Sequence, residues 1–332
     1  MKLNTNWSVL AGLRFTLASI VFFSHMGGYH HFRPCEFADF LGSLGAVMAF
    51  FMISGYSIAH SITNRPERFI LRRIWRIWPT YLFTFFVLTL PVTFFFVTYT
   101  GWQIVGNALL LQGLFIPVLE SNSSTWSLAI EELLYYCSPL FQRTHTFVLA
   151  GLIAISSLFY FYSDQLGWTR FAGEVAGRGV ICCAWAWLLG FVYYRHADNT
   201  LAKISLIFIP VMLMGACNQL PGKLQCSVVL GTALLLIYSP SITTLSEKMN
   251  RRLNWLGNIS YPLYICHAPI WFVLSTIHFL KNSATAFIVV VFGMSIFIYH
   301  YIDAPNRGRW KRANRLQRAQ TDQQAYPAFE KT

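Results

Sequence analysis

Charged residues are scarce in this chain: they make up 11% of its 332 residues, and only 13 of them are Asp or Glu. Hydrophobic residues account for 55%, so the composition excludes an ordinary soluble domain of this length. The seven cysteines show neither CxxC spacing nor a Cys/His cluster, which gives no support for a metal site. A basic patch interleaved with aromatics on a soluble face is also missing, so the net charge of +12 does not indicate nucleic-acid binding.

Long apolar runs are what the chain does contain, and runs of about 17–25 residues predict membrane-spanning helices. We expect an all-α polytopic membrane protein with ten spans, at about residues 8–27, 43–62, 79–98, 126–142, 146–163, 179–194, 201–218, 224–240, 255–279 and 284–302. The segment 99–125 is too long for a tight connection, and its apolar piece is short for a span. We expect it to lie along the outer surface or to re-enter the membrane.

The positions of the basic residues predict an orientation. With a cytoplasmic N-terminus and ten spans, 19 Lys and Arg fall inside, five fall outside and Arg14 lies within the first span. That asymmetry follows the positive-inside rule, so both termini are expected in the cytoplasm. We expect residues 1–310 to form the membrane domain and residues 311–332 to form a basic cytoplasmic tail, disordered or bound to anionic lipid. The first apolar run shows no evident cleavage site and is interpreted as retained.

The first span carries an arginine and ends near a histidine. Arg14 and His25 are eleven residues apart, which brings a helix to within ~20° of three whole turns and up its axis by about 16 Å. Both side chains therefore share one face. An arginine inside a span costs about 2.5–3.5 kcal/mol, so it should face the bundle interior with a partner, or else snorkel to the inner interface. His25 is a candidate catalyst or a satisfied interfacial residue.

A second stretch, Ser54–Phe83, contains Arg72, Arg73 and Arg76 just before Pro79, which is expected to open the next helix. The three arginines fall within about one helical turn. Arginine forks pair with phosphate oxygens, so the cluster suits a multiply phosphorylated ligand; the alternative is an anchor to anionic lipid.

Two further stretches place polar groups inside apolar helices. Glu131 and Glu132 are adjacent carboxylates, and Tyr135 and Tyr136 can each reach back to one of them. They either serve the site or form a structural ion pair between helices. His267 lies in a run with several other polar residues and is an acid/base group, a binding residue or a structural hydrogen-bonding partner.

These stretches together resemble the acyltransferase 3 family of integral membrane acyltransferases. LAGLRFTLASIVFFSH resembles the family's LDGLRxxAxxxVxxxH, with Ala11 where aspartate is frequent. FFMISGYSIAHSI and RRIWRIWPTY are similar to FFxxSGFxI and RxxRxxPxY, WSLAIEELLYY to WSLxxExxFY, and LGNISYPLYICHAPI to LGxxSYxxYLxHxP. YIDAPNR resembles YxxExP, with Asp303 in place of glutamate. The resemblance covers about residues 7–307, in the family's order.

The resemblance implies a ten-helix domain that moves an acyl group, commonly acetyl, from acyl-CoA to a hydroxyl of a carbohydrate or other envelope acceptor. It implies that His25 is the catalytic histidine and Arg14 its helix partner, and it makes the arginine cluster a candidate grip on the phosphates of the coenzyme. Glu131 and Glu132 are candidate catalytic residues. Candidate substrate-binding residues are Ser54, Tyr56, Trp126, Tyr261 and His267. We expect lipid-linked or other envelope sugars as acceptors, no metal, and a bacterial inner membrane as the location.

Two other functions remain open from the sequence. A transporter or flippase for a phosphorylated or acidic solute would also use intramembrane charges and a basic vestibule, but it would tend to show two related halves, and no repeat is visible. A scaffold protein would leave the shared face of Arg14 and His25 and the paired glutamates without a reason.

Overall fold

The computed structural model describes residues 5–30, 40–168, 175–217, 224–277, 283–310 and 312. Over these residues the fold is all-helical and contains no strand. Apart from Arg312, the predicted tail 311–332 lies outside the described residues.

Twelve α-helices follow one another along the described chain. They are α1 (Trp7–His30), α2 (Ser43–Asn64), α3 (Phe69–Thr84), α4 (Leu90–Phe96), α5 (Gly101–Ala108), α6 (Trp126–Arg143), α7 (Thr146–Tyr162), α8 (Arg178–Arg195), α9 (Thr200–Cys217), α10 (Gln225–Tyr238), α11 (Glu247–Thr276) and α12 (Ala284–Ile298). A π-helical turn, Phe85–Thr89, joins α3 to α4, and a second, Tyr299–Asp303, extends α12.

The helices have the character of a membrane protein. Four stretches are long and apolar enough to cross a membrane: Trp7–Met26, Ser43–Asn64, Phe69–Phe96 and Ala284–Trp310. Three shorter apolar helices are Thr146–Tyr162, Thr200–Ala216 and Gln225–Ser241. Large apolar side chains also stand on the surface, for example Phe95 at 80% and Phe147 at 82% exposure. Exposed apolar residues on this scale suit helices that face lipid.

Each segment predicted as a span overlaps a helix, but two helices begin earlier than expected. α3 begins at Phe69, so the expectation that Pro79 opens this helix was wrong; Pro79 lies inside it. Proline removes one backbone donor, and the helix continues because Phe69 and Ile77 on either side of the arginines are buried and hold this turn against the bundle. α11 begins at Glu247, where Ser246 caps the helix by accepting from the Met249 N–H.

Helices α1 and α11 run side by side in the same direction. The Asn254 side chain donates to Ser8, Arg14 reaches the Gly257 carbonyl, and His25 meets His267, so both helices advance together. Gly257 makes this approach possible, because a Cβ there would lie 2.7 Å from the Cα of Ala11. Parallel packing agrees with the alternation in which these are the first and ninth spans.

Helices α2 and α8 cross at two glycines. A Cβ on Gly55 would lie 1.8 Å from the Trp187 carbonyl oxygen, and one on Gly190 would lie 1.9 Å from the Met52 carbonyl oxygen. Small residues let membrane helices approach at backbone distance. This crossing holds α2 rigidly, and α2 forms one wall of the cavity described below.

The segment 99–125 is partly inserted into the bundle. Asn107, Gln112 and Asn122 are buried, and the Asn122 amide donates to the Ile265 carbonyl at 2.9 Å. In a regular helix the Ile265 carbonyl would accept from the N–H of residue 269, but Pro269 has no N–H. The Ile265 carbonyl accepts from Asn122 instead. Irregular backbone is tolerated at such depth where protein surrounds it.

Candidate active site

Two histidines from neighbouring helices form a hydrogen-bonded pair. His25 Nδ1 on α1 lies 2.9 Å from His267 Nε2 on α11, and His267 is almost fully buried. His267 Nδ1 lies 3.2 Å from the Leu263 carbonyl oxygen. Because a carbonyl only accepts, His267 Nδ1 carries the proton, and the Nε2 of the neutral ring accepts from His25 Nδ1–H. With its proton on Nδ1, a neutral His25 ring carries its lone pair on Nε2.

Arg14 faces the same helix as His25. Its guanidinium lies 3.5 Å from the Gly257 carbonyl oxygen, a long and weak hydrogen bond. The expectation that Arg14 and His25 share a face is confirmed, since both meet α11. Arg14 lines a cavity that His25 does not line. The two residues therefore lie at different levels of one helix face, with Arg14 nearer the start of α1.

A cavity of about 640 Å³ lies between α1, α2, α3, α6 and α11. At one end, beside the start of α1 and the end of α2, it is lined by the exposed residues Trp7, Asn64 and Arg65. At the other end it reaches Ser127 and Tyr264. We call these the mouth and the inner end of the central cavity. The volume is within the range of cofactor-binding pockets.

The described lining of the central cavity is strongly basic. Four arginines line it, Arg14, Arg65, Arg73 and Arg76, against the single carboxylate of Glu131. Arg73 packs over the Tyr135 ring, and its buried Nε has no hydrogen-bond partner. Arg76 forms no hydrogen bond or ion pair with any residue that the structure describes. Arg14, Arg73 and Arg76 are half-buried and Arg65 is exposed, and so many cations around one cavity suit a ligand with several negative charges.

The three arginines of the predicted cluster do not act alike. Arg73 and Arg76 are three apart on α3 and both line the central cavity. Arg72 points elsewhere: it donates to the backbone carbonyls of Arg65 and Glu67 and does not line the cavity. Of the predicted phosphate-binding cluster, Arg73 and Arg76 line the cavity, and they are joined there by Arg14, which was predicted as the helix partner of His25.

The paired glutamates point in different directions. Glu131 lines the central cavity and accepts a short hydrogen bond from the Tyr135 hydroxyl, which in turn lies 2.9 Å from Ser54 Oγ. Glu132 is buried outside the cavity, where its carboxylate lies 3.4 Å from Trp78 Nε1. Glu131 is thus the glutamate that a ligand in the cavity would meet.

The other predicted binding residues divide between the cavity and the core. Ser54 and Tyr261 line the cavity, and Tyr261 donates to the Ile77 carbonyl at 3.1 Å. Tyr56 is buried and shares a 2.6 Å hydrogen bond with Thr5. Trp126 packs edge-on against Phe51 and does not line the cavity.

Ser127 and Tyr264, at the inner end of the central cavity, were not predicted as site residues. Tyr264 shares a 2.6 Å hydrogen bond with Ser127 and donates to the Ser124 carbonyl. Its ring centroid lies 6.1 Å from that of His267, so it stands between the central cavity and the histidine pair. The spacing of Tyr264 and His267, three residues apart on one helix, is the signal in the sequence that links them.

Two comparisons with known proteins bear on these residues. The profile of the acyltransferase 3 family, described as an acyltransferase domain, matches residues 8–302. A protein of Acidianus two-tailed virus, named "Putative acetyltransferase ORF330", is 22% identical over 238 residues, which cover 68% of this chain and 72% of that protein. No solved structure matches the chain.

Proposed function

The chain belongs to the acyltransferase 3 family and is an acyltransferase, and from that premise we propose that it moves an acetyl group from acetyl-CoA to a hydroxyl of an envelope carbohydrate. The observation that carries the proposal is a cavity with four arginines and one carboxylate whose inner end lies one residue layer from the histidine pair. The arginine-rich cavity fits a phosphorylated donor, and the histidine pair fits a base for acyl transfer.

The spacing along α1 supports coenzyme A as the donor. Arg14 and His25 are eleven residues apart, about 16 Å along a helix. The extended arm of coenzyme A runs roughly thirteen bonds from phosphorus to sulfur, which at about 1.2 Å of advance per bond is also about 16 Å. A donor with its pyrophosphate among Arg14, Arg73 and Arg76 therefore brings its thioester to the level of His25.

The histidine pair supplies the base for the reaction. As the acceptor hydroxyl attacks the thioester carbonyl, a C–O bond forms, the C–S bond breaks and the coenzyme leaves as a thiolate. His25 Nε2 takes the proton of the hydroxyl and then passes it to the thiolate, so that the coenzyme is released as a thiol and His25 is neutral again. In the alternative route, His25 Nε2 attacks first and carries the acyl group before passing it to the hydroxyl. Both routes need the lone pair on the same nitrogen.

The ring of Tyr264 lies on the path between donor and base. Phe50 packs against it with ring centroids 5.8 Å apart, and both residues line the inner end of the cavity. The thioester arm must pass these two rings to reach His25. The hydrogen bonds of Tyr264 to Ser127 and Ser124 hold it in the position that separates the cavity from the histidines.

We further propose ten spans with both termini in the cytoplasm, so that the mouth of the cavity faces the cytoplasm and His25 lies towards the outer side. Parallel α1 and α11 support this arrangement, as does the loop after α2, which follows the mouth and contains the exposed Arg65 and Arg68. The donor then enters from the inside, and the acceptor approaches from the outside.

The acceptor is proposed to be a carbohydrate of the cell envelope, such as a sugar on a lipid carrier. Trp102 is 64% exposed in the first turn of α5 and offers a ring face to a sugar, whereas Trp126 is buried and offers none. Mass spectrometry of envelope glycans from cells that carry the wild-type gene or the His25→Ala variant tests this. Loss of one ester-linked acetyl mass with the variant supports the proposal, and unchanged glycans with an altered lipid or metabolite profile refute the carbohydrate acceptor.

A further inference from the structure

The mouth of the central cavity contains an aromatic pair. The rings of Trp7 on α1 and His60 on α2 lie 4.5 Å apart between centroids, and both residues line the cavity. The Asn64 amide lies 3.3 Å from His60 Nδ1 and also donates to the His60 carbonyl and the Tyr194 hydroxyl, which fixes the end of α2. Arg65 follows directly and adds an exposed cation to the same rim.

Trp7 lines the central cavity at its mouth. A tryptophan at the start of a span often anchors the helix in the membrane interface. Here the indole contacts His60 and Tyr56, both on α2, while 37% of the residue stays exposed at the mouth. The open part of the ring is therefore available to something that enters the cavity.

Trp7 also continues the face that carries Arg14 and His25. Trp7 precedes Arg14 by seven residues, which is ~20° short of two turns and about 10 Å along the axis. His25 follows Trp7 by eighteen residues, five whole turns. One stripe of α1 thus presents an aromatic ring, then a phosphate-binding cation, then the histidine pair.

The order of these groups matches the order of groups in the donor. In coenzyme A the thioester arm ends at a pyrophosphate, and beyond the pyrophosphate come a ribose with a 3′-phosphate and a purine. The purine lies roughly six to eight bonds from the nearer phosphorus, a reach of about 7–10 Å. With the phosphates at Arg14, the purine falls at the level of Trp7 and the 3′-phosphate near the rim.

We propose that Trp7 and His60 form the purine subsite of the central cavity and that Arg65 binds the ribose 3′-phosphate. The subsite rests on the proposed function, because it takes acyl-CoA as the ligand. Base-on-aromatic stacking is tolerant of sequence and ring type, and a planar guanidinium pairs with phosphate oxygens by two parallel hydrogen bonds. The pairing with Arg65 distinguishes this donor from nucleotides that lack a 3′-phosphate.

Shortened donors test the subsite directly. Acetyl-4′-phosphopantetheine keeps the thioester arm and one phosphate but lacks the nucleoside, and acetyl-dephospho-CoA lacks only the 3′-phosphate. Trp7→Ala is expected to raise KM for acetyl-CoA by about 5- to 150-fold and to leave KM for acetyl-4′-phosphopantetheine unchanged. Trp7→Phe keeps an aromatic ring, so its KM for acetyl-CoA should lie between the values for wild type and Trp7→Ala. Arg65→Gln should erase the preference of the enzyme for acetyl-CoA over acetyl-dephospho-CoA.

Matched controls separate binding from folding. Trp75→Ala removes a tryptophan of similar exposure outside the cavity, and Arg251→Gln removes an exposed arginine paired with Glu247. Neither should change the KM ratios of the donors. Equal losses with the full and shortened donors in Trp7→Ala and Trp7→Phe, together with an unchanged preference in Arg65→Gln, would overturn the subsite. A wild-type protein that transfers acetyl from none of the donors would instead overturn the proposed function.

Discussion

His25 Nδ1 and His267 Nε2 lie 2.9 Å apart and join the first and eleventh helices. The bond has a direction, because the Leu263 carbonyl fixes the proton of His267 on Nδ1. His25 therefore donates through Nδ1 and keeps the lone pair on Nε2. In the proposed mechanism, His267 therefore positions His25 Nε2, the nitrogen assigned to the base.

Replacing His25 is expected to abolish acyl transfer. His25→Ala removes the nitrogen that is proposed to take the acceptor proton, and loss of a general base costs about 10²–10⁴-fold in rate. Steady-state kinetics on purified protein gives the rate, and thermal unfolding in detergent should match that of wild type. His300→Ala, at an exposed histidine outside the cavity, is the control and should be fully active. Activity of His25→Ala within a few-fold of wild type would remove His25 from the mechanism.

Two substitutions of His267 should differ from each other. His267→Gln keeps an oxygen that accepts from His25 Nδ1–H, whereas His267→Leu has none. We expect kcat of the Leu variant to fall by about 10²-fold or more and that of the Gln variant by clearly less, with similar KM for the donor. The rescue by Gln is the readout that a purely structural role would not give. Equal kcat in both variants would show that the histidine pair does not orient His25.

Reversing the charge of the two α3 arginines that line the cavity, Arg73 and Arg76, should weaken binding of the donor. The double variant Arg73→Glu, Arg76→Glu places two carboxylates where phosphates are proposed to bind, so affinity for coenzyme A should fall by at least tenfold, about 1.4 kcal/mol. Isothermal titration with coenzyme A measures it. The double variant Arg251→Glu, Arg252→Glu is the matched control, since both arginines are exposed on α11 and neither lines the cavity, and it should bind coenzyme A as wild type does. Coenzyme A affinity that is unchanged in the double variant would return these arginines to the role of a membrane anchor.

The glycine crossing of α2 and α8 should be sensitive to a single methyl group. Gly55→Ala would place its Cβ against the Trp187 carbonyl, and since backbone cannot move as a side chain can, we expect a loss of stability of about 1–3 kcal/mol or more. Thermal unfolding in detergent measures the change. Gly231→Ala, at a glycine with open space around it, should leave the melting temperature unchanged. Equal melting temperatures for Gly55→Ala and wild type would show that the helices do not cross this closely.

Much of the fold follows from the sequence because spans are long and apolar, and each predicted span overlaps a helix. The shared face of Arg14 and His25 follows from helical periodicity alone. Periodicity does not reveal whether Pro79 begins or interrupts a helix, since burial of Phe69 and Ile77 decides it. It also does not reveal the partner of a side chain on another helix. The His25–His267 pair joins residues 242 apart in the chain, and only packing of α1 on α11 brings them together.

The same limit applies to neighbouring residues of one type. Arg72 and Arg73 are adjacent, yet a rotation of about 100° puts one on backbone carbonyls and the other in the cavity. Glu131 and Glu132 divide in the same way. Trp126 was a candidate substrate-binding residue, but it is buried and packs edge-on against Phe51. The residue types indicated the kind of site, whereas the orientation of each position around its helix decides which of two neighbouring residues lines the cavity.

The most direct test of the account is transfer of labelled acetyl from acetyl-CoA by purified protein in lipid, with a crude envelope glycan as acceptor. We expect hydroxylamine-sensitive ester label on the glycan with wild type, none with His25→Ala, and full label with His300→Ala. No label on any acceptor with wild type, together with uptake of a labelled phosphorylated solute into the vesicles, would contradict it and favour a transporter.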